Sequence, residues 1–252
     1  MKDKYFIMVE NITFSFDERL ILAGISSEIN QGETMVIFGP SGCGKSTLLK
    51  ICAGIFPPQE GRVIINGIDI NRASKTELLN LRKKMGFLFQ DVALIANMNV
   101  YDNIAFPLRY HTDLDEIDIK EKVIELLKLV GVEEYKDLLP APLSLGLKKR
   151  VGVARALVLE PNILFFDEPT ADLDHFHAEE ISRLIHTSQE KKDTTSIVVT
   201  NDLSFAYNTA DRMLLIDRGK VVAVGSVEEI KHHPDPLIQQ IISGIRECGP
   251  EI

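Results

Sequence analysis

The sequence predicts an α/β fold with a mostly parallel sheet core, an antiparallel β flap and an inserted α-helical subdomain. Three apolar, β-favouring runs support this prediction, at residues 34–38, 163–166 and 196–200. Runs that are apolar throughout are typical of strands buried on both faces, as in parallel sheets. Helical patterns fill the segments between them, so we expect a sheet with helices on both faces.

Shorter patterns give the order of the other early elements. Apolar and polar residues alternate over residues 5–9 and 12–16, which predicts two short strands of the flap. A helix is predicted over residues 45–53, after the first buried strand, and a further strand over residues 86–89. The chain therefore begins with the flap and continues as strand, loop and helix.

The middle of the chain has a different character, because residues 91–145 show helical periodicity and few strand signals. The apolar residues of one stretch recur at helical spacing, at Ile117, Val123, Leu126, Leu127 and Val130. We expect the inserted helical subdomain here. Beyond it, residues 212–216 and 220–224 predict two further strands, and residues 236–245 predict a last helix.

Composition narrows the classes of protein that fit. The 252 residues carry a formal net charge of -9, which argues against a general nucleic-acid binder, because such proteins need a basic surface to displace phosphate counterions. No apolar stretch reaches the roughly 18 residues that cross a bilayer, so another subunit is expected to provide any membrane attachment. Cys43, Cys52 and Cys248 lack metal-type spacing and predict reduced, structural thiols.

A phosphate-binding motif follows the first buried strand. Residues 39–47 match G-x-x-x-x-G-K-[ST] between a predicted strand and a predicted helix, the context that the motif requires. Glycines let backbone N–H groups surround phosphate, and the helix N-terminus adds a favourable dipole. Lys45 is expected to reach the β- and γ-phosphates, and the Ser46 hydroxyl to bind Mg²⁺. The predicted ATP-binding residues of this loop are Gly39, Pro40, Ser41, Gly42, Cys43, Gly44, Lys45, Ser46 and Thr47.

Asp167 and Glu168 follow the apolar run at residues 163–166. A carboxylate at the carboxyl end of such a strand meets the magnesium ion beside a phosphate loop, so Asp167 is a predicted metal ligand. Glu168 is then placed to polarise the attacking water as general base. Without the phosphate loop, an acidic pair at a helix N-terminus would be a competing explanation of these two residues; together with the loop it is not.

Further motifs follow in the order of one family. Gln90 ends a predicted strand, residues 143–147 read Leu-Ser-Leu-Gly-Leu, and residues 167–170 read Asp-Glu-Pro-Thr. Over nearly its whole length the sequence resembles the ABC ATPases. The resemblance implies a P-loop NTPase fold of the RecA-like type, with Gln90 as the catalytic Q-loop residue and a ligand of magnesium. It also implies that Asp174 is the D-loop residue.

In the ABC family, the signature segment of one subunit closes on nucleotide held by the phosphate loop of another. The resemblance therefore implies a second ATPase subunit, as a homodimer, with Ser144 and Gly146 facing the partner's ATP. Phe16 has the place of the family's aromatic residue that stacks on adenine. A position in the core of its strand would explain Phe16 equally well.

A narrower resemblance lies in residues 85–90, 97–111 and 234–244. These segments are similar to MlaF-type ATPases of the Mla/Mce phospholipid transport systems. The resemblance implies an MlaE-like membrane permease as partner, further Mla/Mce-type subunits, and a peripheral position at the cytoplasmic face of the inner membrane. Amino-acid importers share part of the pattern, so the ATPase of such an importer is an alternative.

Two segments depart from the family pattern. The signature usually reads LSGGQ or LSGGM, whereas this chain has Leu145 for the first glycine and Leu147 for the last residue. A leucine at residue 145 would be strained if that position needed a positive φ. Asn201 stands where the family has its switch histidine, and it can donate a hydrogen bond but cannot become cationic. We therefore predict ATP binding with hydrolysis that is slow or depends on the assembled complex; a regulatory subunit with little hydrolysis is the alternative.

The remaining features have simpler interpretations. The basic run at residues 148–150 is expected to be a solvated helix face, and His175 and His177 to be a solvated helix start rather than a metal pair.

The chain is predicted to be one ABC ATPase domain. Its predicted parts are an ATP-binding core at residues 1–90 and 160–230, a helical signature subdomain at residues 91–159, and a C-terminal helical tail at residues 231–252.

Overall fold

The computed structural model of the chain describes residues 5–190 and 194–244. The fold is α/β, as predicted, and the chain divides into two units. The first unit consists of the described residues up to Leu78 and from Thr195 onward, and the second is Leu79–Thr194. Within the described ranges, no helix has both the length and the apolar character needed to cross a membrane.

Strands and helices alternate in both units. The first part of the first unit contains β1 (Ile7–Phe16), β2 (Arg19–Ile29), β3 (Thr34–Phe38), α1 (Lys45–Cys52), β4 (Glu60–Ile65), β5 (Ile68–Asp69) and α2 (Lys75–Arg82), within which the second unit begins. The second unit continues with β6 (Met85–Leu88), α3 (Val100–His111), α4 (Glu116–Leu129), a short 3₁₀ helix (Glu133–Tyr135), α5 (Leu145–Leu157), β7 (Ile163–Asp167) and α6 (His175–Glu190). The rest of the first unit contains β8 (Thr195–Thr200), α7 (Leu203–Thr209), β9 (Arg212–Asp217), β10 (Lys220–Ser226), α8 (Val227–Lys231) and α9 (Pro236–Ile242).

An antiparallel sheet of the first unit has the strand order β2-β1-β4-β5 and forms the predicted flap. The prediction of two strands at residues 5–9 and 12–16 was wrong, because β1 is continuous. Its pairing with β2 shifts register between Val9 and Ile12, where Asn11 has a φ of 49°. The Asn11 N–H donates to the Ser26 hydroxyl at 2.9 Å. This bulge lets Val9 and Ile12 both be buried, which strict alternation over three residues does not allow.

Gly61 of β4 faces this bulge. Its φ is 84°, and a Cβ atom there would lie 2.3 Å from the carbonyl oxygen of Glu10 and 2.4 Å from that of Asn11. We expect Gly61→Ala to lower the free energy of unfolding by about 2–4 kcal/mol, because alanine is strained at that φ and overpacks two backbone atoms. Urea unfolding measures the change. Gly54→Ala is the control, since its φ is 67° but the nearest atom is 3.4 Å away; equal losses for both variants would contradict the steric explanation.

The other strands of the first unit form a mixed sheet in the order β10-β9-β3-β8. β3 pairs in parallel with β8 and β9, and β10 is antiparallel to β9. Every residue of β3 and β8 is buried, as expected for apolar strands packed against helices. Helix α1 contacts β8, and α7 contacts both β3 and β8. The predicted strands at residues 34–38 and 196–200 are confirmed, and β8 begins one residue earlier than predicted.

In the second unit, β6 pairs in parallel with β7, with Met85 opposite Ile163. Helix α5 contacts β6. Helices α3, α4 and α5 share an apolar core that includes Val100, Ile104, Leu108, Val123, Leu127 and Val151. Ile117 is 77% exposed, so its assignment to the apolar stripe was wrong. Asp115 caps α4 just before it, and Ile119 takes the buried position in that turn.

The last two elements of the described residues are short helices. Helix α8 has a capping box formed by Ser226 and Glu229. Helix α9 begins at Pro236, as predicted, but ends at Ile242 rather than at residue 245, which lies outside the described residues. The early end follows from Gly244, whose φ of 71° does not continue a right-handed helix.

Two of the three cysteines lie in described parts of the first unit. Cys43 and Cys52 are both buried and lie outside any disulfide of the described residues, in agreement with structural cysteines at these two positions. Burial raises the pKa of the Cys52 thiol to about 12. Cys52 is therefore protonated and unreactive near neutral pH. Cys248 lies outside the described residues.

Candidate active site

The phosphate loop, residues 39–47, joins β3 to α1 in the first unit. Gly44 has a φ of 105° and is the N-cap of α1. Gly39 passes so close to β9 that a Cβ atom would lie 2.1 Å from the Ile216 carbonyl oxygen. Gly42 has a φ of 79° and no atom within 4 Å of its Cβ position. The loop is thus constrained near both ends and open at Gly42, where phosphate can approach the backbone.

The start of α1 is suited to an anion. Its N-cap makes no side-chain capping bond and its first turn holds no acidic residue. Lys45, the first residue of α1, is 5% exposed, and its Nζ donates to the carbonyl oxygens of Gly39 at 2.8 Å and Pro40 at 3.0 Å. A helix N-terminus adds N–H donors and partial positive charge. These donors fit the β- and γ-phosphates of ATP.

Asn201 reaches the phosphate loop from the end of β8. Its Nδ2 donates a hydrogen bond to the Ser41 hydroxyl at 3.2 Å. The next residue, Asp202, is the N-cap of α7, and its carboxylate accepts a hydrogen bond from the Phe205 N–H at 3.0 Å. Because β3 and β8 are parallel neighbours, the segments that follow them leave the same edge of the sheet. The first unit therefore brings the predicted switch position next to the loop.

Phe16 ends β1 and is 47% exposed. Its ring contacts Phe14 edge-to-face at 5.0 Å between ring centroids, and Phe56 edge-to-face at 5.8 Å. The sequence allowed two interpretations of Phe16, a residue of the strand core or an adenine-stacking residue. The exposure of the ring argues against the first. Stacking on adenine stays a prediction.

In the second unit, β7 delivers the predicted carboxylates. Asp167 is 2% exposed and Glu168 is 8% exposed. Glu168 leaves the strand with a φ of 48°, and the Ala171 N–H donates to its carbonyl oxygen at 3.2 Å. Asp172 has a φ of 61°. Each such left-handed, non-glycine residue costs about 1–3 kcal/mol and persists only where surrounding contacts enforce it. We call residues 168–172 the carboxylate turn.

Lys149 shows that the prediction of a solvated face for residues 148–150 was wrong at this position. It is 1% exposed, and its Nζ donates to the carbonyl oxygens of Glu168 at 3.0 Å and Ala171 at 2.6 Å. Burial lowers the pKa of its ammonium group, against the opposing effect of nearby carboxylates. Lys149 lies three residues after Gly146 and four before Val153, both buried. That helical spacing was the available signal, and the charge of the residue concealed it.

The signature segment forms the start of α5. Ser144 is the N-cap, and its hydroxyl accepts from the Leu147 N–H at 3.3 Å. Leu145 is 37% exposed and is the first residue of α5, so its backbone is right-handed and the strain considered for a positive φ is absent. A Cβ atom on Gly146 would lie 3.0 Å from the His177 ring. Glycine therefore allows a close contact between α5 and α6.

Asp174 precedes α6 and is bonded to His177. One carboxylate oxygen accepts from the His177 N–H at 3.1 Å, and the other lies 2.6 Å from Nδ1 of the ring. The backbone bond first, and the ring bond second, lower the pKa of the Asp174 carboxyl. Since the same ring packs on Gly146, His177 connects the D-loop to the signature. Helix α6 begins at His175, which confirms the predicted helix start.

Gln90 lies in the turn after β6 and is exposed. Val92 and Ala93 follow it with φ values of 62° and 47°. Arg155 of α5 donates to their carbonyl oxygens, at 2.6 Å for Val92 and 2.8 Å for Ala93. Burial lowers the pKa of the Arg155 guanidinium group. Helix α5 therefore holds the turn after Gln90 as well as the carboxylate turn.

The predicted magnesium ligands come from both units. Ser46 is the second residue of α1 in the first unit, and Gln90 and Asp167 belong to the second. Hydroxyl, amide and carboxylate oxygens are hard ligands of the kind that Mg²⁺ takes. Their donor chemistry fits the ion, and joint binding by the three residues stays a prediction.

Comparison with known proteins identifies the family of this arrangement. A family model described as "ABC transporter" matches residues 22–171. The chain is 38% identical to the intermembrane phospholipid transport system ATP-binding protein MlaF of Haemophilus influenzae, over 94% of this chain and 90% of that protein. It is 39% identical to the probable ribonucleotide transport ATP-binding protein mkl of Mycobacterium leprae, over 97% of this chain and 70% of that protein.

A solved structure gives the same result. A dimeric ATP-binding cassette in a post-hydrolysis state, bound to ADP and Pi, is similar with a TM-score of 0.81 and 32% identity, over 88% of this chain and 98% of that chain. The segment matched by the family model contains the phosphate loop, the signature and both carboxylates of β7 and its turn. The chain therefore belongs to the ABC transporter family, as an ATP-binding cassette.

Proposed function

We propose that this chain hydrolyses Mg-ATP as the ATP-binding subunit of a membrane transporter that moves phospholipids. The observation that carries the ATPase activity is the phosphate loop. The Lys45 ammonium group and the Asn201 amide both donate hydrogen bonds to this loop, and α1 begins within it. The similarity to a protein named as a phospholipid transport ATP-binding protein supports the choice of substrate.

Each proposed role suits the surroundings of its residue. Lys45 binds and orients the β- and γ-phosphates, as its position inside the loop supports. Glu168 polarises the attacking water as general base from a nearly buried site. Ser46, Gln90 and Asp167 would hold Mg²⁺, which when bound neutralises charge on the phosphates. Asn201 donates a hydrogen bond near the γ-phosphate.

We propose a homodimer as the active form. Ser144 and Gly146 of one copy would face the ATP of the other, and Asp174 would line the same interface. The dimeric state of a related cassette with ADP and Pi supports this arrangement. The Ser144 hydroxyl accepts a bond from Leu147, so its own proton can be donated to a phosphate oxygen. The exposed Phe16 ring would stack on adenine.

We propose an MlaE-like permease as the membrane partner, with further Mla/Mce-type subunits and a peripheral position at the cytoplasmic face of the inner membrane. Purifying the tagged chain from a detergent extract, followed by mass spectrometry, tests the assignment. An MlaE-like permease is the expected result. Ribonucleotide transport is the second candidate, because a relative named for it is 39% identical; recovery of a nucleotide or amino-acid permease would overturn the lipid assignment.

We propose that hydrolysis is slow or depends on the assembled complex, because Asn201 is neutral. We expect Asn201→His to raise kcat of the complex about tenfold, since imidazole reaches further than an amide and can become cationic. Leu145→Gly is expected to raise kcat less, because Leu145 is unstrained in α5. Steady-state phosphate release measures both effects. Unchanged rates in both variants would show that neither residue limits turnover.

An ATP-gated regulatory subunit with little hydrolysis is the alternative function. Asn201 and Leu145 favour it, and Glu168 opposes it. The two functions differ in one comparison, that of wild-type complex with the Glu168→Gln variant. A transporter ATPase loses its turnover in the variant, whereas a regulatory subunit has almost none to lose.

A further inference from the structure

Lys149 is a buried charge that needs an explanation. It is 1% exposed, and burying an ammonium group is costly unless its donors find acceptors. Its Nζ donates to two backbone carbonyl oxygens, those of Glu168 at 3.0 Å and Ala171 at 2.6 Å. Burial lowers the pKa of the ammonium group, and the negative charges of Asp172 and Glu168 oppose this effect. The cation therefore belongs to the carboxylate turn.

The carboxylate turn has a backbone that depends on such contacts. Glu168 and Asp172 have φ values of 48° and 61°. Non-glycine residues keep this left-handed conformation where surrounding contacts enforce it. Lys149 bonds the first residue of the turn and the residue before Asp172. It thus spans the segment between the two left-handed positions.

We infer that Lys149 is a positioning residue for ATP hydrolysis. By holding the carbonyl oxygens of Glu168 and Ala171, it sets the backbone from which the Glu168 carboxylate projects, and it fixes the start of the D-loop that leads to Asp174. The inference rests on the proposed role of Glu168 as general base. Lys149 acts through that residue rather than on the nucleotide.

The same helix begins at the signature, which extends the role of Lys149. Ser144 caps α5, five residues before Lys149, a rise of about 7.5 Å along one continuous helix. A short α-helix moves as one body, so a displacement of the signature carries the ammonium group with it. Lys149 therefore couples the position of the signature to the general base of its own subunit.

The neighbouring Lys148 provides a matched control. Lys149→Met removes the ammonium group and keeps an unbranched apolar side chain. Lys148→Met makes the same change one residue earlier, where the side chain forms no hydrogen bond or ion pair within the described parts of the chain. Lys149→Arg restores a cation whose several N–H groups can donate to both carbonyl oxygens.

Steady-state ATP hydrolysis by the complex that co-purifies with the tagged chain tests the inference. We expect Lys149→Met to lower kcat about 10- to 100-fold, because a small misplacement of a reacting group has effects of this size. The KM for ATP is expected to stay within about threefold of wild type, since the phosphate loop is intact. Lys148→Met is expected to match wild type, and Lys149→Arg to recover most of kcat.

Amide hydrogen exchange on the same purified variants supplies a readout that does not need turnover. We expect Lys149→Met to speed exchange in residues 168–174 and to leave residues 39–47 unchanged. Faster exchange in both segments, with lost ATP binding, would indicate a merely structural role and overturn the inference. An active wild type with unchanged kcat and exchange in Lys149→Met would overturn it and leave the proposed function standing. A wild-type complex without turnover would overturn both.

Discussion

Glu168→Gln is expected to lower kcat for ATP hydrolysis about 10²- to 10⁴-fold and to leave ATP affinity within about threefold of wild type. Glutamine has nearly the shape of glutamate, but its amide does not accept a proton from water. Glu168 is 8% exposed and left-handed in its backbone, so the substitution changes the chemistry of a group whose position is constrained. Phosphate release from the complex and ATP binding to the isolated chain measure the two quantities.

A control for this variant lies in the same unit. Glu121 of α4 is exposed, and Glu121→Gln makes the same chemical change at a surface position, so it is expected to match wild type in both assays. Turnover by Glu168→Gln within a factor of about three of wild type would contradict the general-base role. Simultaneous loss of ATP binding would point to a damaged fold instead.

Lys45→Met is expected to weaken ATP binding about 10- to 100-fold, since a hydrogen bond to a charged group contributes about 1.5–3 kcal/mol. The ammonium group lies inside the phosphate loop, bonded to the carbonyl oxygens of Gly39 and Pro40. Methionine has a similar length but neither charge nor donors. Titration of the isolated chain with a fluorescent ATP analogue in the presence of Mg²⁺ gives the affinity directly.

Lys75→Met is the matched control for the loop lysine. Lys75 begins α2, is exposed, and carries the same charge in the same unit. Its replacement is expected to leave affinity unchanged, which separates the local contribution of Lys45 from a general loss of positive charge. Equal weakening in the two variants would contradict the assignment of the phosphate site.

The strands that bear the site could be predicted because they are apolar throughout. Residues 34–38 form β3 without any change of bounds, and β7 and β8 each extend the prediction by one residue. A strand buried on both faces has no polar side whose phase can be misjudged. The glycine and lysine spacing of residues 39–47 predicted the loop for a similar reason, since few other structures require that pattern.

The errors arose where tertiary contacts decide burial. The bulge at Asn11 adds a residue to β1 and joins two predicted strands into one. Ile117 is apolar but faces solvent, whereas Lys149 is charged but lies on the buried face of α5. The partner atoms of Lys149 are backbone oxygens 19 and 22 residues further along the chain. No local sequence pattern predicts such contacts.

Several expectations involve nucleotide or a second chain and stay predictions. These are the stacking of Phe16 on adenine, the shared magnesium ligands, and the approach of Ser144 and Gly146 to the partner's ATP. The division of the chain into a core at residues 1–90 and 160–230, a signature subdomain at residues 91–159 and a tail at residues 231–252 also stays a prediction. By contrast, Asn201 and Ser41 both belong to the first unit, and the structure shows a hydrogen bond between them.

Phospholipid transfer by the purified complex tests the central claim most directly. The complex that co-purifies with the tagged chain is reconstituted into liposomes, and transfer of a fluorescent phospholipid to acceptor liposomes is followed with and without Mg-ATP. We predict that ATP accelerates transfer by the wild-type complex and has no effect on transfer by the Glu168→Gln complex. Robust ATP hydrolysis without any ATP-dependent lipid transfer, together with stimulation of that hydrolysis by a ribonucleotide or an amino acid, would contradict the account.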